Sequence, residues 1–246
     1  MNLLAIETSS DACSVALLCD TEILTDHRIA AQQHGRLVLP MIDALMAQSE
    51  LSVNQLDGVV FGRGPGSFTG VRIAVALTQG IALGAGVGVV GISTINSIAQ
   101  GVYRLHGDCN VAVSIDARMD EVYFAAYALN ENGVMSPVTQ ECLCSPESIP
   151  VLPENLDRKW AGSGAQRYAN LLAEQYAVPR ASIKIDMWPD AYDLISLALP
   201  KVESGELQAA EQALPVYLRN KVADTTAERE LVQQAKSNSS TTPKSL

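Results

Sequence analysis

Apolar residues recur along this chain in two rhythms. Short apolar runs bounded by polar turns open each half, and longer stretches with apolar positions at helical spacing follow them. Residues 2–7, 12–19 and 22–29 read as three strands joined by the turns Thr8-Ser9-Ser10-Asp11 and Asp20-Thr21, an antiparallel opening. Residues 36–48 then read as a helix, with Val38, Met41, Ile42, Leu45 and Met46 at helical spacing; Leu37 and Leu39 widen the apolar face beyond one stripe, and Pro40 falls early, where a first turn tolerates it. A strand at 57–61, a helix at 71–83, a strand at 87–92 and a helix at 94–105 complete the first half.

The opening is then echoed. Residues 110–116 and 121–129 predict strands around the turn Ala117-Arg118-Met119-Asp120, and a third strand is expected at 138–144. A short strand at 159–161 leads through Gly162-Ser163-Gly164 into a helix at 165–176. A last helix is expected at 190–203, with Pro200 as a kink or stop. The pattern divides the chain into a first lobe at 1–105, a second at 106–222, and a tail at 223–246. The tail's Ser, Thr, Asn, Lys and Pro bury too little apolar surface to order it beyond a short helix near 227–235.

The most constrained stretch is Gly62-Arg63-Gly64-Pro65-Gly66-Ser67-Phe68-Thr69-Gly70-Val71-Arg72-Ile73, between a strand and a helix. Its glycines permit close backbone approach, and Thr69 is placed to cap the helix. Two readings stand: a tight strand-to-helix joint, or an anion site at a helix N-terminus. It matches neither the Walker pattern, since no Lys-Ser or Lys-Thr follows, nor a dinucleotide fingerprint. Ser9, Ser10 and Asp11 at the first hairpin tip are a second place where a phosphate could sit.

Composition narrows the classes. The chain has 246 residues and a net charge of -10, with no basic run, so tight nucleic-acid binding is not expected of it; if it serves an RNA pathway, another protein carries most of the RNA contact. The start meets Glu7 at once and lacks a basic segment, which argues against a signal peptide; no apolar run was long enough to suggest a membrane span, the stretch 80–91 being broken by glycines. Five scattered cysteines suggest reduced thiols and a cytoplasmic protein; Cys142 and Cys144 would share a strand face, for packing rather than zinc. His34 is expected as a cap or surface residue ahead of its helix.

Four segments carry a closer likeness. Leu4-Ala5-Ile6-Glu7-Thr8-Ser9, the glycine-proline stretch from Gly64 to Ile73, Asp116-Ala117-Arg118-Met119-Asp120-Glu121-Val122-Tyr123, and Pro215-Val216-Tyr217-Leu218-Arg219 resemble the TsaB (YeaZ) family of bacterial tRNA threonylcarbamoyladenosine biosynthesis. The resemblance implies an α/β, duplicated actin-like (ribonuclease H-like) fold of two lobes, each a mixed sheet flanked by helices. It implies a non-catalytic subunit that pairs with a metal-bearing TsaD-like paralogue, which moves the threonylcarbamoyl group to the adenosine beside the anticodon. A TsaE-like ATPase joins the pair, tRNA is met only through the complex, and the chain alone forms a homodimer. The same resemblance assigns the partner surface to the helices at 36–48 and 71–83, through Leu37, Val38, Met41, Ile42, Leu45, Val71, Arg72, Val75 and Gln79.

The residues agree with a chain that requires no cofactor. Glu7 stands where ATP-using relatives commonly carry Asp, and a positioning change of ~1 Å can cost ~100-fold in rate. The second turn has Ala117 and Arg118 where such relatives use glycine. His27, His34 and His106 form no His-x-x-x-His pair, so a metal is not expected. Weak nucleotide or anion contact remains open through Glu7, Ser9, Ser10, Asp116, Arg118, Gly162 and Gly164, against an ion-pair role for Asp116, Arg118, Asp120 and Glu121. The alternatives are an ATP-binding or ATP-hydrolysing enzyme of the same fold and, further off, a glycoprotease-like peptidase.

Overall fold

The computed structural model describes residues 1–150, 152, 159–184 and 187–219. The first three apolar runs form β1 (Asn2–Glu7), β2 (Ala12–Cys19) and β3 (Glu22–Ile29), and the later ones β4 (Gly58–Gly62) and β5 (Gly88–Ile92). They make one sheet in the order β3-β2-β1-β4-β5. β1 pairs antiparallel with β2 and parallel with β4, and β4 is parallel to β5. The second sheet is built from β6 (Asn110–Arg118), β7 (Glu121–Leu129), β8 (Met135–Pro137), β9 (Cys142–Cys144), β10 (Lys159–Ala161) and β11 (Ile183–Lys184). Its order is β11-β10-β6-β7-β8, with β9 also on β7. Read from the other end, it repeats the first: a hairpin, then two parallel strands on the far side of the hairpin's first strand. Each half thus closes the same way because each begins with the same alternation of apolar run and polar turn.

Helices cover both faces of both sheets. α1 (His34–Gln48) and α2 (Phe68–Ala85) pack on one face of the first sheet, against Leu4, Ile6, Val15 and Val59. The other face, with Leu3, Ala5, Val60 and Val90, is covered by α6 (Ala191–Glu203). α3 (Thr94–His106) lays Ile95, Ile98, Ala99 and Val102 on the second sheet. The short helices α4 (Ser163–Arg167) and α5 (Ala169–Gln175) pack on that sheet's other face with Trp160 and Phe124. Packing therefore draws the lobes differently from the division at 105/106. α3 belongs by its apolar face to the second lobe, and α6 returns to the first; the two helices touch at the centre.

Several boundaries move for local reasons. α2 begins at Phe68 rather than at 71, because Ser67, not Thr69, is its cap: the Ser67 hydroxyl accepts from the Gly70 N–H at 3.4 Å. The expected helix at 165–176 breaks at Tyr168, whose backbone leaves the helical region. Of the expected strand at 138–144 only Cys142–Cys144 forms; near its expected start the Thr139 hydroxyl, rather than a backbone carbonyl, accepts from the Ala126 N–H at 2.9 Å. Pro200 lies inside α6, in its last turn, and the helix continues to Glu203. His34 is buried, with Nε2 3.2 Å from the Ala12 carbonyl, rather than on the surface. The expectations for 223–246 lie outside the described residues.

One correction bears on function. Val38, Met41, Ile42, Leu45, Val71 and Val75, assigned to a partner, point inward and belong to the core of the first lobe. Met41 is 1% exposed. Apolar side chains at helical spacing are those that cover the helix's own sheet, and each such burial contributes about 1.5–3 kcal/mol to the fold. Leu37 and Gln79 are half-buried, and Arg72 alone of the set is exposed. The surface left to a partner is the opposite face of the same helices.

Candidate functional site: an interlobe cleft and an exposed helical face

Close backbone approach builds the floor of the cleft between the lobes. A Cβ added at Gly66 would fall on the Ser9 backbone, and one added at Gly70 on the Thr8 carbonyl. The start of α2 can therefore lie directly on the β1–β2 turn. Ser67 N–H donates to the Ser9 carbonyl at 2.6 Å, and the Thr8 hydroxyl donates to the Gly70 carbonyl at 2.7 Å. The glycine-rich stretch is the tight joint of the two readings above.

The cleft has a volume of about 750 Å³. Ser9, Ser10 and Asp11 line it from the first lobe, with Gly66 to Gly70; Asp116 to Met119, Ser163, Trp188 and Arg219 line it from the other side. Of the residues considered for anion contact, Ser9, Ser10, Asp116 and Arg118 meet here. Gly162 and Gly164 pack against Ser114 and leave Ser163 between them at the wall.

Glu7 lies beneath the cleft, fully buried. Its carboxylate accepts from Ser9 N–H at 2.7 Å and from the Thr94 hydroxyl at 3.1 Å. Burial pushes its pKa above the usual carboxylate range, with those hydrogen bonds acting against the shift. Both oxygens are thus engaged, one by the β1–β2 turn and one by the start of α3.

Across the cleft, Asp116 is saturated in the same way. It receives the Arg167 guanidinium at 2.9 Å and the Arg118 N–H at 3.0 Å, and Arg118 Nη1 lies 3.5 Å from it. The ion-pair reading of this turn therefore describes its geometry, with Arg167 and Arg219 as members that the pattern of residues did not reveal. Arg219 closes on the turn through Glu121 at 2.6 Å and the carbonyls of Ala117 and Arg118. Arg118, Met119 and Asp120 all have left-handed backbones, with φ of 64°, 54° and 55°. The histidines stand on separate elements: His27 Nδ1 is 3.6 Å from Asp190, and His106 ends α3.

The second feature is the outer face of α2. Phe68, Arg72, Ala76, Gly80, Leu83 and Gly84 are exposed, with Ile73, Leu77 and Ile81 half-buried beside them. Gly80 and Gly84 have open space where a Cβ would stand. In length and composition Phe68–Ala85 is apolar enough to cross a membrane, with a mean hydropathy of 1.4, although no such run was expected; its inner side is packed on the first sheet. At its start the Arg72 guanidinium stacks 3.7 Å over the Phe68 ring and donates to the Tyr217 hydroxyl at 2.9 Å. Gln79 donates to the Ala213 carbonyl at 3.0 Å, so it holds the chain's own later segment.

Comparisons with known proteins agree on one relationship. The profile of the family described as TsaD, tRNA N6-adenosine threonylcarbamoyltransferase, matches residues 22–239. The tRNA threonylcarbamoyladenosine biosynthesis protein TsaB of Escherichia coli K12 is 38% identical over 225 residues, 91% of this chain and 96% of that protein. TsaB of Haemophilus influenzae is 36% identical over 90% of this chain and 95% of its own length. The solved structure of YeaZ from Pseudomonas aeruginosa superposes with a TM-score of 0.81 at 38% identity, covering 88% of this chain and 99% of that one. The repeated sheet order and this superposition make the architecture the duplicated actin-like fold. With nearly the whole of each relative aligned at that identity, the chain belongs to the TsaB (YeaZ) family, within the wider group that the TsaD profile spans.

Proposed function

We propose that this chain is a non-catalytic cytoplasmic subunit for threonylcarbamoyladenosine formation in tRNA. It docks through the outer face of α2 and the adjoining face of α1 on a TsaD-like, metal-bearing paralogue. A TsaE-like ATPase joins that pair, tRNA is contacted through the complex, and the free chain pairs with a second copy of itself by the same face. The family relatives' names support the pathway. The single observation behind the docking role is the exposed stripe Ala76, Gly80, Leu83 and Gly84 on an otherwise core-packed helix. Small residues there let a second helix approach closely, and an apolar stripe of this kind on a soluble surface marks an interaction site.

A supporting role suits the cleft as well. The carboxylates of Glu7 and Asp116 are engaged by the chain's own donors. Any nucleotide held there is bound weakly and is not required. The test is reconstitution of tRNA modification from the paralogue and the ATPase, with wild-type chain, without it, and with Gly80→Arg. Modification that depends on the chain and is lost with Gly80→Arg, while that variant keeps its fold, supports the reading. Full modification without the chain, or threonylcarbamoyl transfer by the chain alone, overturns it.

A further inference from the structure

We infer that residues 213–219 form an interlobe strap that sets how far the cleft opens, with Arg219 as its clasp. After α6 the chain runs along the outer edge of the first lobe. There it is fastened at four places: Gln208 pairs with Val89, Gln79 donates to the Ala213 carbonyl at 3.0 Å, Val216 N–H donates to the Arg63 carbonyl at 2.8 Å, and Arg72 donates to the Tyr217 hydroxyl at 2.9 Å. The strap then crosses to the second lobe. Arg219 Nη1 lies 2.6 Å from Glu121 Oε2, and Nη2 donates to the carbonyls of Ala117 and Arg118 at 3.1 and 3.2 Å.

Those contacts fall on a turn that is costly to hold. Arg118, Met119 and Asp120 are three successive non-glycine residues with positive φ, a conformation disfavoured for each of them. A planar guanidinium that takes two carbonyls and a carboxylate at once fixes both the turn's shape and its distance from the first lobe. The Arg219 side chain is 17% exposed and that of Glu121 34%, so water screens the fork only in part. Among the described residues the lobes are also joined through the packing of α3 on α6, through the buried Thr94 hydroxyl on Glu7 and Ser9, and through the half-buried pair of Arg63 with Glu141 at 3.4 Å. The strap adds a fastening that runs past the β6–β7 turn at the cleft wall, and Arg219 itself lines the cleft. Its release therefore frees the lobes to rotate about the α3–α6 contact.

The test uses the full chain without the paralogue or the ATPase, with doubly labelled chain diluted in an excess of unlabelled chain so that distances between copies do not register, and its outcome is thereby separable from the docking reading above. Spin labels at Gln48 on α1 and Glu131 beyond β7, in a background without native cysteines, report the distance between lobes. Hydrogen exchange is followed in parallel. Arg219→Ala is expected to broaden the interlobe distance distribution and shift it outward, and to speed exchange in 116–122 about tenfold, the effect of losing roughly one charge-assisted contact. Glu121→Gln, which removes the partner rather than the clasp, is expected to act in the same direction and carries the test should Arg219→Ala fail to fold. An unchanged distance distribution in a folded variant overturns the inference. So does faster exchange spread evenly through both sheets, which would mark Arg219 as a source of general stability only.

Discussion

The Glu7 carboxylate occupies the space that a side chain at residue 62 would need: a Cβ added at Gly62 would fall among its three terminal atoms. The last residue of β4 and the last residue of β1 are thus fitted to one another across a parallel pair of strands. Because Glu7 is tethered by Ser9 and Thr94, it cannot swing aside without losing both bonds. Gly62→Ala is expected to lower stability by about 2–3 kcal/mol, an overpacking cost. Urea unfolding against the wild type measures it.

The same carboxylate gives a pH dependence of known sign. Burial raises the folded-state pKa of Glu7 above its usual 4.5. The folded chain then holds a proton that the unfolded chain releases, so stability is greatest below the unfolded value and falls as pH rises through the folded one. Asp193, pushed up to about 6 by burial, adds a fall between its usual 3.8 and about 6. Glu7→Gln keeps an acceptor for Ser9 N–H and removes the titration. Its unfolding free energy is expected to decline less steeply above pH 4.5 than the wild type's, by up to ~1.4 kcal/mol per pH unit for one proton. Denaturant melts across pH 4 to 8 compare the two slopes.

Arg104 is the partner that makes a buried Asp193 tolerable, through contacts of 2.8 and 2.9 Å to a side chain that is 1% exposed. Arg104→Ala leaves that carboxylate without its cation and is expected to cost about 3–5 kcal/mol near neutral pH. The loss shrinks at pH 5, where Asp193 takes a proton instead. Unfolding at pH 5 and 7.5 checks both parts.

The two faces of the first lobe's helices predict opposite phenotypes for the same kind of change. Val38→Glu or Met41→Glu places a charge in the core, and each is expected to abolish folding, seen as loss of the cooperative thermal transition. Ala76→Arg and Gly80→Arg project from the exposed face and are expected to leave the melting temperature nearly unchanged. They should weaken association with the paralogue, or with a second copy, by about 100-fold or more, because each buries an unpaired cation at a helix contact. Sedimentation of the free variants and titration against the paralogue separate these outcomes.

Much of the fold was legible in the sequence. Polar turns at 8–11 and 20–21, set between apolar runs, mark β1 to β3 closely, and their echo at 110–129 discloses the repeat. What stayed hidden depends on distance along the chain. The apolar positions of α1 and α2 read equally well as a core face or a partner face; only the sheet beneath them decides. Arg167 and Arg219 look like scattered cations until β6 and β7 bring the Asp116–Glu121 turn to them. The cap of α2 is Ser67 because Gly66 and Gly70 press the helix onto the Ser9 turn, a constraint that belongs to the contact and not to local propensity.

The crossing of α3 and α6 between lobes also governs how the polypeptide can mature. A ribosome releases β1 to β5 long before Ala191 to Glu203 exist, so Leu3, Ala5, Val60 and Val90 stay uncovered until α6 has emerged. Neither half is a separable unit: a fragment ending at residue 105 would carry α3 with nothing to cover and a sheet with one bare side.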